Sequence, residues 1–569
     1  MTTAPHTAGP HVPGTDPEAL ARLRRVRRYA VPRAVIGRAT ERRLAGDWHG
    51  ACAAAGVDVG IDLYAVRRTL GAETADAVRA DLLHLVPDLL RWHFPRIWHE
   101  PAALAPAAVV VLSRPLGDRG PWLFARVRGK GPHESQRILL ELGPGPGPEG
   151  SPHESLPWTT SRYLWDSRHV HETRERWGGS ADRAPFLDPD GTPRARHLLP
   201  TANPGPDADP ATRTEWIDGL YLGGRVAEAF AASGFAFDPE DFAEGDLSAA
   251  PNPRLSPGRL AAELVRLHAA GRSGRMHIRS KWNRGLLMRG DAGRPRIKTT
   301  TGFPFPPTGA PPAPEALWTR SADIDAVLAG VSPDHLHPVV RDALAPARPP
   351  ADGPVGPPPW GPEGPVRVRC RGEWHTVTLT GGRLAVPHDD REVAREAALR
   401  TLGGVGQGCF TAHEAWTTGR GRLPKALRRL RADLFERARN GDTDAVLAYL
   451  DAGGDPRLRN GEGETLLHRL LHLDHGVLLP RLLDAGAEVD ARDHAGYTPL
   501  GRAAASGGDA SVLRALVAAG ARPGGVAPGA GPRDPAPRGL ADLLRWRAEL
   551  DGRTGRPRPL DLEDVEDLL

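Results

Sequence analysis

The side chains able to do chemistry are scattered along this chain, and their spacing completes no catalytic frame. His171-Glu172-Thr173-Arg174-Glu175, with His169 just ahead, nearly makes a zinc-binding helix, but Glu175 stands where the second histidine is needed. His468, His472 and His475 recur at steps of four and three, which sets imidazoles on one helix face. Cys52, Cys370 and Cys409 are odd in number, far apart and free of any CxxC pair, so neither a disulfide frame nor a zinc knuckle is expected. Asp188-Pro189-Asp190-Gly191 is a turn without the terminal glutamate of a calcium loop. Gly129-Lys130 lacks the rest of a phosphate loop. Gly145-Pro146-Gly147-Pro148-Glu149-Gly150 fits a dinucleotide fingerprint in form only, since its prolines remove N–H groups that a pyrophosphate needs. No Gly-x-Ser-x-Gly elbow occurs. The expectation is no catalytic residue, no metal ligand and no cofactor.

Basic clusters offer a different chemistry. Arg22, Arg24, Arg25, Arg27 and Arg28 crowd one segment. Arg272, Arg275, Arg279, Lys281, Arg284 and Arg289 surround Trp282, and Arg420, Arg422, Lys425, Arg428, Arg429 and Arg431 form a third group. Interleaved Arg and Trp suit phosphate and base contact. Yet 74 basic residues face 70 acidic ones for a net charge of +4, so solvated Arg-rich faces are the first expectation. Only four of the 74 are lysine, and Gly (66) and Pro (58) are both frequent, a compositional bias that weakens any single arginine as evidence of a ligand.

The elements that must position these groups follow from length and punctuation. A chain of 569 residues is expected to hold about three or four domains. Pro/Gly clusters then divide it: residues 1–15 disordered, 16–142 an α+β module, 143–211 a Pro/Gly-rich connection, 212–346 a second α+β module, 347–365 a Pro-rich linker, and 366–426 a small hairpin-plus-helix module. Helical periodicity marks the stretch from Leu20 to Tyr29, Glu73–Arg96 with a kink at Pro87, Trp216–Gly234 and Gly258–Ala270. Ala108–Leu112, Trp122–Val127 and Arg137–Leu142 predict a small antiparallel meander; Met276–Arg279, Gly285–Met288 and Arg296–Thr301 predict three more strands. Val366–Leu379 alternates and meets Arg383–Val386 across Thr380-Gly381-Gly382, a hairpin signal. The N-terminus lacks a basic start followed by an apolar run, and the stretch Ala102–Leu112 is too short to span a bilayer, so a soluble cytoplasmic chain is expected, with no membrane partner.

From Leu427 a period appears. Ala-Gly recurs at Ala452-Gly453, Ala485-Gly486 and Ala519-Gly520, with glycine spacings of 486 − 453 = 33 and 520 − 486 = 34. Gly463-Glu464-Thr465-Leu466-Leu467-His468 aligns with Gly496-Tyr497-Thr498-Pro499-Leu500-Gly501. Thr465 and Thr498 are placed to cap helices, Pro499 fits a first turn, and Leu467 and Leu500 should fill the seam between units. Pro480 sits early in a helix and should delay or bend it. These boxes, with Leu483-Asp484-Ala485-Gly486-Ala487, resemble the ankyrin repeat over 427–523, and residues 524–569 would follow as linker and C-terminal helices. The resemblance implies about three units, His468 as an inter-turn hydrogen-bonding histidine, and protein binding.

The fold class is therefore an α+β multidomain N-terminal region followed by a short C-terminal α-solenoid of ankyrin repeats. The implied function is a non-catalytic protein-binding or scaffold role with an unidentified protein partner. Partner contacts are expected at Glu462, Glu464, Arg469, His472, His494, Tyr497 and Arg502, where aligned units differ while the box persists. Two alternatives stay open: nucleic-acid binding through Arg-rich helices, and an enzyme on an N-terminal module with the repeats as recruiter. Neighbouring domains covering the array face is the competing account of those site residues.

Overall fold

The computed structural model describes residues 17–97, 102–106, 108–116, 120–128, 134–144, 155–237, 252–270, 274–281, 284–290, 294–301, 310, 312–361, 365–380, 383–402, 408–418, 421–506, 508 and 510–522. The expectations for residues 1–15 and 524–569, for Gly145–Gly150 and for Trp282 lie outside these. Two compact units emerge, one from the described residues of 1–127 and 138–358, the other from those of 128–137 and 359–569.

The first unit opens with α1 (Pro17–Tyr29), α2 (Arg33–Leu44), α3 (Trp48–Ala54), β1 (Val57–Val59), α4 (Leu63–Leu70), α5 (Ala72–His84) and α6 (Pro87–His93). The single kinked helix expected over Glu73–Arg96 is two helices. Leu85 and Val86 are extended because the residue before a proline is pushed out of the helical region, and Pro87 then starts α6. The meander follows as β2 (Val109–Ser113), β3 (Trp122–Val127) and β4 (Ile138–Gly143), with antiparallel pairing. Two short strands too brief to show a period flank it in parallel, β1 beside β4 and β5 (Ser155–Pro157) beside β2, giving the order β1-β4-β3-β2-β5. Residues 143–211, expected as a connection, supply Trp158, Tyr163, Trp165, Trp177 and Phe186 to the core around this sheet. Ion pairs add to the short helical turns there: Asp166, fully buried, takes Arg162 and Arg168, and hydrogen bonding to them holds its carboxyl below the usual range despite burial.

A second core in the same unit gathers α8 (Pro210–Leu222), α9 (Val226–Ala232) and α10 (Pro257–Ala269), with α7 (Thr173–Arg176) preceding them, on an antiparallel sheet of β6 (Arg275–Lys281), β7 (Arg284–Arg289) and β8 (Arg296–Thr301). The helix expected over Trp216–Gly234 breaks at Gly223-Gly224, where Gly224 takes a φ of +82°. Then come α11 (Glu315–Trp318), α12 (Ala322–Leu328) and α13 (Pro338–Leu344). Among the described residues no helix is long and apolar enough to cross a membrane.

The second unit contains β9 (Val366–Cys370), β10 (Glu373–Thr380), β11 (Arg383–Ala385), α14 (Asp390–Thr401) and α15 (Gly408–Thr418), then α16 (Lys425–Arg439), α17 (Thr443–Asp451), a tight 3-10 helix at Leu466–His472, α18 (His475–Asp484), α19 (Pro499–Ala505) and α20 (Ala510–Ala518). The strands order β11-β10-β9. The alternating run Val366–Leu379 is itself a hairpin. Arg371 and Gly372 form its two-residue loop at φ of +50° and +93°, the left-handed pair that a primed turn demands. One core runs through the whole unit: Val368, Val377 and Trp416 join Leu434, Tyr449, Leu467, Leu482, Leu500 and Leu513. The small module and the repeats share this core.

Candidate functional site

In the repeats the box residues are spent on the fold. Thr498 Oγ1 accepts from the Gly501 N–H at 3.1 Å and caps α19, with Pro499 in its first turn. Thr465 and His468 make a capping box in which the Thr465 N–H donates to His468 Nδ1 at 3.0 Å. His468 Nε2 donates to the Tyr497 carbonyl of the next unit at 3.0 Å. Burial pushes this imidazole down to about 4, so it is neutral and both nitrogens are committed. It forms no ligand set with His472 and His475. Leu467 and Leu500 are fully buried in the seam. α18 starts at His475, capped by Asp474, and carries Pro480 in its interior.

The seven residues expected at a partner surface divide. Glu464 and Arg469 are 2% and 7% exposed and form an ion pair with each other, so they are held inside the array. Arg502 pairs with buried Asp493, lies 3.3 Å from Glu464, and sets its guanidinium 4.7 Å from the centroid of the Tyr497 ring. Tyr497, Arg502 and His472 are partly buried. Glu462 and His494 are exposed and joined through the backbone, the His494 N–H donating to the Glu462 carbonyl at 2.9 Å. Near the end of α19, the Ser506 carbonyl accepts from the N–H of Ser135, which lies in the 128–137 segment of the same unit, at 3.0 Å.

A second group was missed by the sequence reading, which looked for closely paired cysteines. Cys370 at the end of β9, His375 on β10, His388 ahead of α14 and Cys409 in the first turn of α15 bring four ligand atoms within 4.8 Å of one another. Cys370 and His375 are five apart, His388 is thirteen further on and Cys409 twenty-one beyond that, a spacing that matches no short motif. The strand alternation was the usable signal: the Arg371-Gly372 turn pairs Cys370 with Glu373, and His375 lies opposite Val368.

In the first unit a cavity of about 300 Å³ is lined by Arg27, His93, Arg96, Arg259, Trp177 and Asp323, among others. Its charged lining comprises Arg27, Arg96, Arg254 and Arg259 with two carboxylates, Glu315 and Asp323. Asp323 receives Arg27 at 2.7 Å and the Trp92 indole N–H at 3.0 Å, and these partners keep its carboxyl below the usual range against the opposing effect of burial. Arg27, one of the first basic cluster, is thus a core residue.

An ankyrin-repeat family model, in three copies, matches residues 434–525. An ankyrin repeat-containing protein of Schizosaccharomyces pombe is 38% identical over 63 residues, which make up 11% of this chain and 30% of that protein. The chain therefore spans under a third of that relative's length. No solved structure gives a significant match. Residues 434–525 of this chain are three ankyrin repeats, a module type that points to protein interaction.

Proposed function

We propose that the chain is a non-catalytic protein-binding or scaffold protein that presents its ankyrin array to a protein partner. The carrying observation is the division of labour in the repeats: Thr465, His468, Thr498 and Leu500 are committed to the fold, while the turn tips at Glu462 and His494 project exposed, chemically unlike side chains. Tyr497 and Arg502, stacked beside them, extend that face. The nucleic-acid reading is weakened by Arg27, whose guanidinium is buried against Asp323.

Deleting the array is a poor test, because it shares one core with residues 366–426. Glu462→Gln combined with His494→Ala alters exposed side chains and puts no like charge beside Arg469, which lies 3.6 Å from Glu462 and keeps its closer partner Glu464. The full chain carrying both substitutions should capture less native partner at an unchanged melting temperature. Capture that survives the substitutions but disappears with nuclease would replace this reading with the nucleic-acid one.

A further inference from the structure

We propose that Cys370, His375, His388 and Cys409 form a closed structural zinc site that pins β9, β10 and α15 together beside the repeats. The spacing of the ligand atoms fits tetrahedral coordination. An ion about 2.3 Å from sulfur and about 2.0–2.1 Å from imidazole nitrogen sets neighbouring S and N about 3.5 Å apart and two N about 3.3 Å apart. Here Cys370 Sγ lies 3.7 Å from His388 Nε2, Cys409 Sγ lies 3.6 Å from His375 Nδ1, and His375 Nδ1 lies 3.2 Å from His388 Nε2. None of the cysteines is in a disulfide. Two thiolates with two imidazoles are a donor set that favours zinc over hard cations, which prefer oxygen. All four positions are protein ligands, which leaves no open coordination place and makes the site structural.

The surroundings are built for the same purpose. His388 presents Nε2 to the cluster, and its Nδ1 lies 3.0 Å from Glu392 Oε2, one turn on at the start of α14. A carboxylate behind an imidazole fixes its tautomer and raises its basicity, the usual support of a metal-bound histidine. The His388 ring is also stacked on Phe410, with centroids 4.5 Å apart. The two cysteines are 1% and 0% exposed, so their sulfurs are shielded from water, while the two histidines are partly buried. Gly408 carries the close approach of α15: a Cβ there would sit 2.5 Å from Cys370 Cα and 2.7 Å from its Sγ.

A small three-stranded sheet with two helices has little core of its own, and exposed Trp374 (61%), Leu399 (45%) and Leu402 (84%) show how much apolar surface it leaves out. A metal cross-link is the ordinary remedy for a module of that size.

The test is metal analysis of the full chain purified without chelator. One zinc per chain is expected, and reconstitution with cobalt(II) should give the intense visible bands of a tetrahedral thiolate site. Cys409→Ser and His388→Ala should each lose both signals, whereas Cys52→Ala, in the other unit, should keep them. Should those variants fail to fold, the unaltered chain still decides. Chelation should expose two further thiols to alkylation without any added reductant. Substoichiometric zinc, a Cys370–Cys409 disulfide that opens only with reductant, or full zinc retained in a Cys370→Ser/Cys409→Ser chain would each overturn the assignment.

Discussion

His468 Nε2 reaches the carbonyl oxygen of Tyr497, 3.0 Å away in the following repeat, while its Nδ1 accepts the N–H of Thr465 at 3.0 Å. One neutral ring thus closes its own capping box and ties two units together. Protonation at Nδ1 would turn that acceptor into a donor facing an N–H. The folded-state value is depressed from 6.5 to about 4, so the unfolded chain binds this proton first. The stabilisation is present above the unfolded pKa and is lost as pH falls from about 6.5 towards about 4, on the order of 3 kcal/mol across the window. Unfolding followed between pH 7 and pH 4 should show this slope, and His468→Gln should flatten it. An equal slope in the variant would show that other groups carry the acid sensitivity.

Leu500 is fully buried between units, and the Leu500→Ala cavity should cost about 2–4 kcal/mol. Hydrogen exchange should accelerate across residues 465–520 while the sheet around β3 keeps its protection. Unchanged protection in the repeats would contradict the seam placement.

Arg502 couples stability to recognition. It is the ion-pair partner of buried Asp493, so Arg502→Ala strands that carboxylate inside the array, while Glu464 keeps Arg469. Breaking a buried pair from one side typically costs about 3–5 kcal/mol. The melting temperature should fall, and by more than for Tyr497→Ala. Because Arg502 also belongs to the proposed face, a loss of partner capture in Arg502→Ala mixes folding with recognition, whereas a loss in the Glu462→Gln/His494→Ala chain at an unchanged melting temperature reports on the surface.

Local signals were legible where the pattern is local. The repeat stride, Thr498 with Pro499, and the six strands of the two meanders all follow from spacing within a few residues. Features decided by distant partners were not. β1 and β5 are three residues each and exist only because β4 and β2 offer edges to pair with. The turn-rich stretch 155–199 looks like linker, because its order comes from aromatic residues buried in a remote core and from carboxylates such as Asp166 that hold arginines.

The candidate residues divide the same way. Aligning repeat units finds positions outside the box, but it cannot tell that Glu464 and Arg469 neutralise each other in the interior while Glu462 stays outside. The Cys370–Cys409 group is assembled from two strands, a loop and a helix start, so no window of sequence holds it. The Arg371-Gly372 turn was the one local clue, since it aligns β9 and β10 and so brings Cys370 near His375.

Gly408 offers a test of how tightly that assembly is held, independent of metal content. Its φ is +56°, and an added Cβ would meet Cys370 Cα at 2.5 Å, a backbone neighbour that cannot rotate away. Gly421 shares the left-handed backbone, at φ +96°, but its added Cβ would meet only Ala415 Cβ at 3.5 Å. Gly421→Ala therefore measures the conformational penalty alone, about 1–2 kcal/mol for a side chain in that region. Gly408→Ala adds the overlap, so α15 must shift away from β9. The melting temperature should drop further than for Gly421→Ala, and Cys370 and Cys409 should react faster with an alkylating reagent, while Cys52 in the other unit stays as slow as before. Equal midpoints and equal thiol reactivity in the two alanine variants would mean that α15 accommodates the methyl without moving, and that the close packing of Gly408 on Cys370 does not set the position of Cys409.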